Sequence, residues 1–142
     1  MTLAFQTKDG RATLFHCTAQ ELLATLPDDS VDLIITDPPY AKRTHDKAIG
    51  NKRKKKGGEK LIDFNHISDE DLRFCLDECG RVMKRWLVAT MDYHHAFDIE
   101  TKPPKHMRVP RLGVWVKNNP MPQVTADRPA QGWEAIVYAH KV

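Results

Sequence analysis

The sequence predicts an α/β fold built on a mostly parallel sheet, and three observations predict it. Val31 to Thr36 is a run of mostly branched, apolar residues that ends at Asp37-Pro38-Pro39-Tyr40, the pattern of a strand buried on both faces. A second continuous apolar run, Trp86 to Met91, ends at the polar cluster Asp92-Tyr93-His94-His95. A helical pattern precedes each run, which is the alternation of parallel strands with crossover helices. Both runs end in polar residues at the carboxyl end of a strand, where open α/β sheets place their ligand sites.

Taken in order, Ala12 to Cys17 follows the turn Lys8-Asp9-Gly10-Arg11 and has strand-like residues. Thr18-Ala19-Gln20-Glu21 has the spacing of a capping box, and Leu22, Leu23 and Leu26 form an apolar stripe. A short helix there, closed by Leu26-Pro27-Asp28-Asp29-Ser30, makes strand, helix and strand one crossover unit. The strand from Val31 must stop at Pro38 and Pro39, which lack the N–H a ladder needs. Ser68 is an N-cap with acids in the turn after it, and Leu72, Cys75, Leu76, Cys79, Val82 and Met83 recur at helical spacing. This helix is expected to end near Met83 to Arg85. After the strand at Trp86 to Met91, Ala96 to Glu100 reads as helical. Leu112 to Lys117 and Ala135 to His140 read as two further strands, a C-terminal antiparallel pair joined by the long Pro/Asn loop 118 to 132.

The chain has 142 residues, 41% of them hydrophobic and 29% charged, enough for one domain with a real core and too apolar for disorder. No apolar run approaches the roughly 20 residues of a spanning helix, and the N-terminus does not read as a signal peptide. The expectation is a soluble, intracellular protein of prokaryotic or phage type, cytoplasmic and without membrane contact. Three cysteines fit reduced thiols. Cys75 and Cys79 share a helix face, but no second ligand pair follows them, so they read as core residues and no metal is expected. The net charge of +3 is unevenly spread. Residues 41 to 60 hold nine Lys or Arg against Asp46 and Glu59, a local +7, which leaves −4 for the remainder. This loop has almost no apolar content and includes Gly57-Gly58, so it is expected to be mobile. Lying directly after Tyr40, it suits contact with DNA phosphates, although charge runs are often only solvated.

The chemistry rests on Asp37 to Tyr40. An exocyclic aryl amine is a poor nucleophile because its lone pair is delocalised into the ring. Acceptors that hold its hydrogens, here the Asp37 carboxylate and the Pro38 carbonyl, localise that pair. Tyr40 offers a stacking face worth about 1 to 3 kcal/mol per base, against a flipping cost of a few kcal/mol.

With these residues the chain resembles the S-adenosylmethionine-dependent DNA amino-methyltransferases, which modify adenine N6 or cytosine N4, and their beta class above all. Leu22 to Tyr40 follows the family pattern almost residue for residue, and Trp115 to Pro122 with Arg128, Trp133 and Glu134 resembles the later motif beside the target base. The resemblance implies a class I methyltransferase-like (Rossmann-like) fold, S-adenosyl-L-methionine as cofactor, DNA as partner, and a DNA adenine-N6 methyltransferase activity, with residues 1 to 142 as its catalytic domain or half-domain. It implies that Asp37, Pro38, Pro39 and Tyr40 are catalytic, with Asp37 also near the methionine end of the cofactor. Cys17 and Thr18 stand where the family has Gly-Asp at the cofactor adenine. Lys117 and Asn118 would form the rim of the base pocket, and Lys42, Arg43, Arg53 and Lys54 would contact DNA. Asp as the first residue of the tetrapeptide favours adenine over cytosine.

Two departures stand out. The acid at Thr18 is missing, and none of the seven glycines forms the Phe-x-Gly-x-Gly-type loop that cradles the cofactor in the family. In the family fold the strands bearing that loop lie between the Ala12 to Cys17 strand and the Val31 strand. The expectation is therefore an incomplete sheet, completed by a second subunit or a missing C-terminal segment. A non-catalytic remnant that binds DNA or a partner, cytosine-N4 specificity, and methylation of RNA or a protein amide remain as alternatives.

Overall fold

A computed structural model describes residues 1–39, 67–118 and 131–142. Its elements are β1 (Thr2–Gln6), β2 (Thr13–His16), α1 (Ala19–Leu23), β3 (Val31–Thr36), α2 (Asp69–Val82), β4 (Met83–Met91), α3 (Tyr93–Thr101), β5 (Met107–Val116) and β6 (Trp133–Lys141). β3, β4, β6 and β5, in that order, form a four-stranded sheet in which β3 runs parallel to β4 and the other pairs are antiparallel. β1 and β2 make a separate antiparallel hairpin.

The hairpin corrects one expectation. β2 was expected to join β3 in one parallel crossover unit, but its ladder is with β1. Between β2 and β3 the chain has only α1 and a short turn, and among the described residues no strand bridges the two sheets. The gap that the resemblance implied is therefore a break between sheets. β1 itself, a short stretch whose Leu3 and Phe5 alternate with polar or small neighbours, was not expected.

Four local devices set the frame. Thr18 caps α1 in a full capping box with Glu21. Ser68 Oγ accepts from Asp71 N–H at 3.0 Å to start α2, and Asp92 Oδ1 accepts from the N–H groups of His94 and His95 at 3.0 and 3.1 Å to start α3. At the other end of α2, Lys141 Nζ donates to the carbonyls of Gly80 and Arg81 at 2.8 and 3.1 Å, satisfying groups that a helix end leaves without partners. α3 begins three residues earlier than the Ala96 start read from the sequence, because the Asp92 cap recruits Tyr93 to His95.

The turn before β3 is fastened to that same helix end. Arg81 donates to the carbonyls of Leu23 and Leu26 and to Asp28. Asp29 and Ser30 donate their N–H groups to the carbonyls of Arg81 and Val82. Val31 pairs with Met83, but Leu33 pairs with Trp86, so β4 carries one extra residue at the entry of the parallel ladder. Beyond it the register is regular: Ile34 faces Leu87 and Thr36 faces Ala89.

The two sheet faces are unlike. On one, Leu87, Ala89 and Met91 of β4 and Ala135, Val137 and Ala139 of β6 lie under α2 and α3, whose Leu72, Leu76, Cys79, Val82, Ala96 and Ile99 complete the core. On the other, Leu33, Ile35, Trp86, Trp115 and Tyr138 are exposed. This corrects the reading of Val31 to Thr36 as a strand buried on both faces. β3 is an edge strand, with Ile34 packed on the core and Ile35 75% exposed. β5 also starts earlier than expected and contains Pro110, which is tolerated because the ladder is irregular between Arg108 and Arg111 on an edge strand.

Candidate active site

The carboxyl end of β3 lies beside the carboxyl end of β4, and the parallel register puts Asp37 next to Thr90. Thr90 Oγ1 donates to Asp37 Oδ1 at 2.6 Å. Among the described residues Asp37 Oδ2 has no hydrogen-bond partner, and the side chain is exposed. Pro38 and Pro39 follow without ladder bonds and fix the direction of the chain. Tyr40, Lys42, Arg43, Arg53, Lys54 and Arg128, with the whole basic loop 41–60, fall outside the described residues.

Alternation along the strands shows which residues share Asp37's face. Thr90 pairs with Ile136, which pairs with Gly113, and Trp115 pairs with Glu134. Leu33, Ile35 and Asp37 alternate onto this side, as do Gly113, Trp115 and Lys117. Asp37, expected to be catalytic, and Lys117, expected at the rim of the base pocket, thus belong to one end of one open face. They lie three strand spacings apart across the sheet, about 14 Å at about 4.8 Å per spacing, and Lys117 is a further four residues along the chain from Gly113, the residue of β5 level with Asp37. Lys117 is already engaged: its Nζ makes an ion pair with Glu134, sits 5.6 Å from the Trp115 ring centroid, and its N–H donates to the Gly132 carbonyl at 2.8 Å. Asn118 follows it beyond the end of β5.

Cys17 and Thr18 lie elsewhere, at the junction of the hairpin with α1. Thr18 Oγ1 accepts from Glu21 N–H at 3.2 Å and Thr18 N–H donates to Glu21 Oε2 at 3.0 Å. The cap thus uses the polar groups of the residue read as an adenine contact. The described residues therefore fit a methionine-bearing cofactor at one end only: Asp37 Oδ2 can accept from an ammonium, and no acid stands at position 18.

The closed face has its own concavity, a groove of about 390 Å³ between α3 and β5 walled by Tyr93, Phe97, Leu112, Val114 and Trp133. Tyr93 and Trp133 stand 6.0 Å apart, centroid to centroid. His95 Nε2 hydrogen-bonds Asp69 Oδ1 at 3.0 Å and ties α3 to α2. Burial pushes the Cys79 thiol up to about 12, with Cys75 and Glu78 adding to the shift, and Cys79 belongs to the core while Cys75, expected there too, is only half-buried. No cluster of metal-binding side chains occurs among the described residues, and no helix among them is long and apolar enough to cross a membrane.

Thr90 was not found from the sequence. Its signal is the symmetry of the two strand ends: Thr36-Asp37 closes β3, and Thr90-Met91-Asp92 closes β4. Only the register shows which polar residue meets which.

This architecture is that of part of a class I methyltransferase. No family model matches the sequence. The chain is similar to the type II methyltransferase M.HinfI of Haemophilus influenzae, with 26% identity over 132 residues, 85% of this chain and 36% of the relative. Among solved structures it resembles M1.HpyAVI in its complex with SAM, at TM-score 0.54 and 23% identity over 89% of this chain and 53% of the other. A second structure of M1.HpyAVI gives TM-score 0.55 and 22% identity over 89% of this chain and 54% of the other. The sequence similarity is thus to a type II methyltransferase, and the chain spans about a third to a half of the length of these relatives.

Proposed function

We propose that this chain is the base-binding, catalytic portion of an S-adenosylmethionine-dependent DNA methyltransferase that acts on the exocyclic amine of adenine. The observation that carries the reading is the Asp37 carboxylate. It stands exposed at the carboxyl end of a parallel strand, one oxygen bonded by Thr90 and the other without a hydrogen-bond partner among the described residues, with the Pro38 carbonyl next in the chain. The similarity to M.HinfI supports the class of reaction.

An aromatic amine has two hydrogens, and Asp37 Oδ2 and the Pro38 carbonyl are two acceptors for them. Holding both hydrogens localises the nitrogen lone pair and aims it out of the ring plane, while the carboxylate stabilises the positive charge that develops on nitrogen. S-adenosylmethionine, when bound, supplies a methyl group on a sulfonium. The nitrogen would gain the methyl carbon as the carbon–sulfur bond breaks and the sulfur leaves as a neutral thioether, and it would release one proton for Asp37 to accept or pass to water. Asp37 also suits the ammonium of the cofactor's methionine end. Tyr40 would stack on the flipped base, Lys117 and Asn118 would line its rim, and the loop holding Lys42, Arg43, Arg53 and Lys54 would bind phosphates. A second subunit or further segment would complete the cofactor site, since β2 is detached from the main sheet and Thr18 offers no acid.

That detachment also favours a second reading, a DNA-binding remnant without methyl transfer. Incubating the chain with methyl-labelled S-adenosylmethionine and unmethylated DNA, then separating the nucleosides, distinguishes them. The proposal expects label in N6-methyladenine, lost in Asp37→Ala while the circular dichroism spectrum is kept. Label in N4-methylcytosine would move the specificity, and no label alongside retained DNA binding would support the remnant.

A further inference from the structure

We infer that Thr90 is the positioning residue of the active site: its hydroxyl selects which oxygen of Asp37 meets the target amine. The inference rests on the reading of Asp37 as the amine acceptor.

A carboxylate on a strand end has two equivalent oxygens and can turn about χ1 and χ2. An exposed Asp37 left to itself would offer the amine either oxygen in several orientations. Thr90 removes that freedom. Its Oγ1 donates to Oδ1 at 2.6 Å, in the short range of bonds to an ionised acceptor. Oδ1 is thereby oriented and partly occupied, and Oδ2 is left as the acceptor. With the Pro38 carbonyl this makes two acceptors for two amine hydrogens.

Thr90 is itself well held. β-branching restricts its χ1, it pairs with Ile136 of β6, and it directly follows the stretch Trp86 to Ala89 where β4 is paired on both sides, with β3 and with β6. Opposite its partner Ile136 is Gly113, where an added Cβ would come within 2.7 Å of Tyr138 Cε2. Tyr138 thus fills the glycine's place and stiffens the ladder under Thr90. The donor sits on the rigid strand and the acceptor on the turn, so the strand sets the geometry of the turn.

Thr90→Val keeps the β-branched shape and deletes the hydroxyl; Thr90→Ser keeps the hydroxyl. Crystal structures of the three proteins and single-turnover methyl transfer to DNA test the inference together. Thr90→Val is expected to leave Asp37 in a different or divided side-chain orientation and to slow the chemical step roughly tenfold to a hundredfold, the scale of a misplacement of about 1 Å, with KM for DNA unchanged. Thr90→Ser is expected to restore the wild-type orientation and a rate within about threefold. An unchanged Asp37 orientation in Thr90→Val, or equal rates in wild type and Thr90→Val, would overturn it. If the wild type transfers no methyl group yet Asp37 turns in Thr90→Val and not in Thr90→Ser, the positioning stands and the methyltransferase reading falls.

Discussion

The two faces of the four-stranded sheet carry different duties, and their composition shows it. The helix-covered face is apolar and closed, with Leu87 only 1% exposed. The opposite face is also rich in large apolar groups, yet Ile35 there is 75% exposed, and at its carboxyl end stand Asp37, Thr90, Glu134 and Lys117. One face holds the core and the other carries the candidate site. A domain that needed only to fold would gain nothing from exposing Leu33, Ile35, Trp86, Trp115 and Tyr138 together. The relatives are about 1.7 to 2.4 times as long, by the share of each chain that is matched.

Substitutions of equal chemistry on the two faces put the contrast to the test. Leu87→Ala opens a cavity beneath α2 and α3 and is expected to cost about 2 to 5 kcal/mol in urea unfolding, whereas Ile35→Ala should cost below about 1 kcal/mol. Equal losses would mean that the second face is covered in solution. A smaller effect is expected where the faces share a support. Lys141→Met leaves the Gly80 carbonyl without its donor and the Arg81 carbonyl with only the Asp29 N–H, and should cost about 1 to 2 kcal/mol, with faster amide exchange at the end of α2; unchanged exchange there would show that the cap is idle. The smallest effect concerns reactivity. With its thiol pushed up to about 12, Cys79 stays protonated at every pH below that value, and only the thiolate attacks. A disulfide reagent at pH 8 should therefore leave Cys79 unlabelled in the folded protein and label it in urea. Labelling in the native state would show that α2 opens.

Much of the scaffold was legible because its signals are local. The caps at Thr18 and Ser68, the helical spacing from Leu72 to Val82 and the apolar run to Met91 each specify an element from within. The antiparallel pairing of β5 and β6 was legible too. What failed depended on neighbours. An apolar run such as Val31 to Thr36 reads alike at the centre and at the edge of a sheet, so Ile35 looked buried. Ala12 to Cys17 looks like a strand whichever partner it has, so the hairpin with β1 was missed. In the site, Asp37 was visible as an acid at a strand end, but its partner Thr90 is 53 positions away and is chosen by register, which no local pattern encodes.

That choice traces back to the extra residue of β4 between its pairing with Val31 and its pairing with Leu33. Had the ladder continued evenly from Val31 and Met83, Leu33 would meet Arg85, and Asp37 would come level with Ala89, which has no hydroxyl and turns toward the core. The irregular step at the entry of the sheet, a full strand length from the chemistry, works as a vernier: a single count there decides whether the acid finds a hydroxyl or a methyl group.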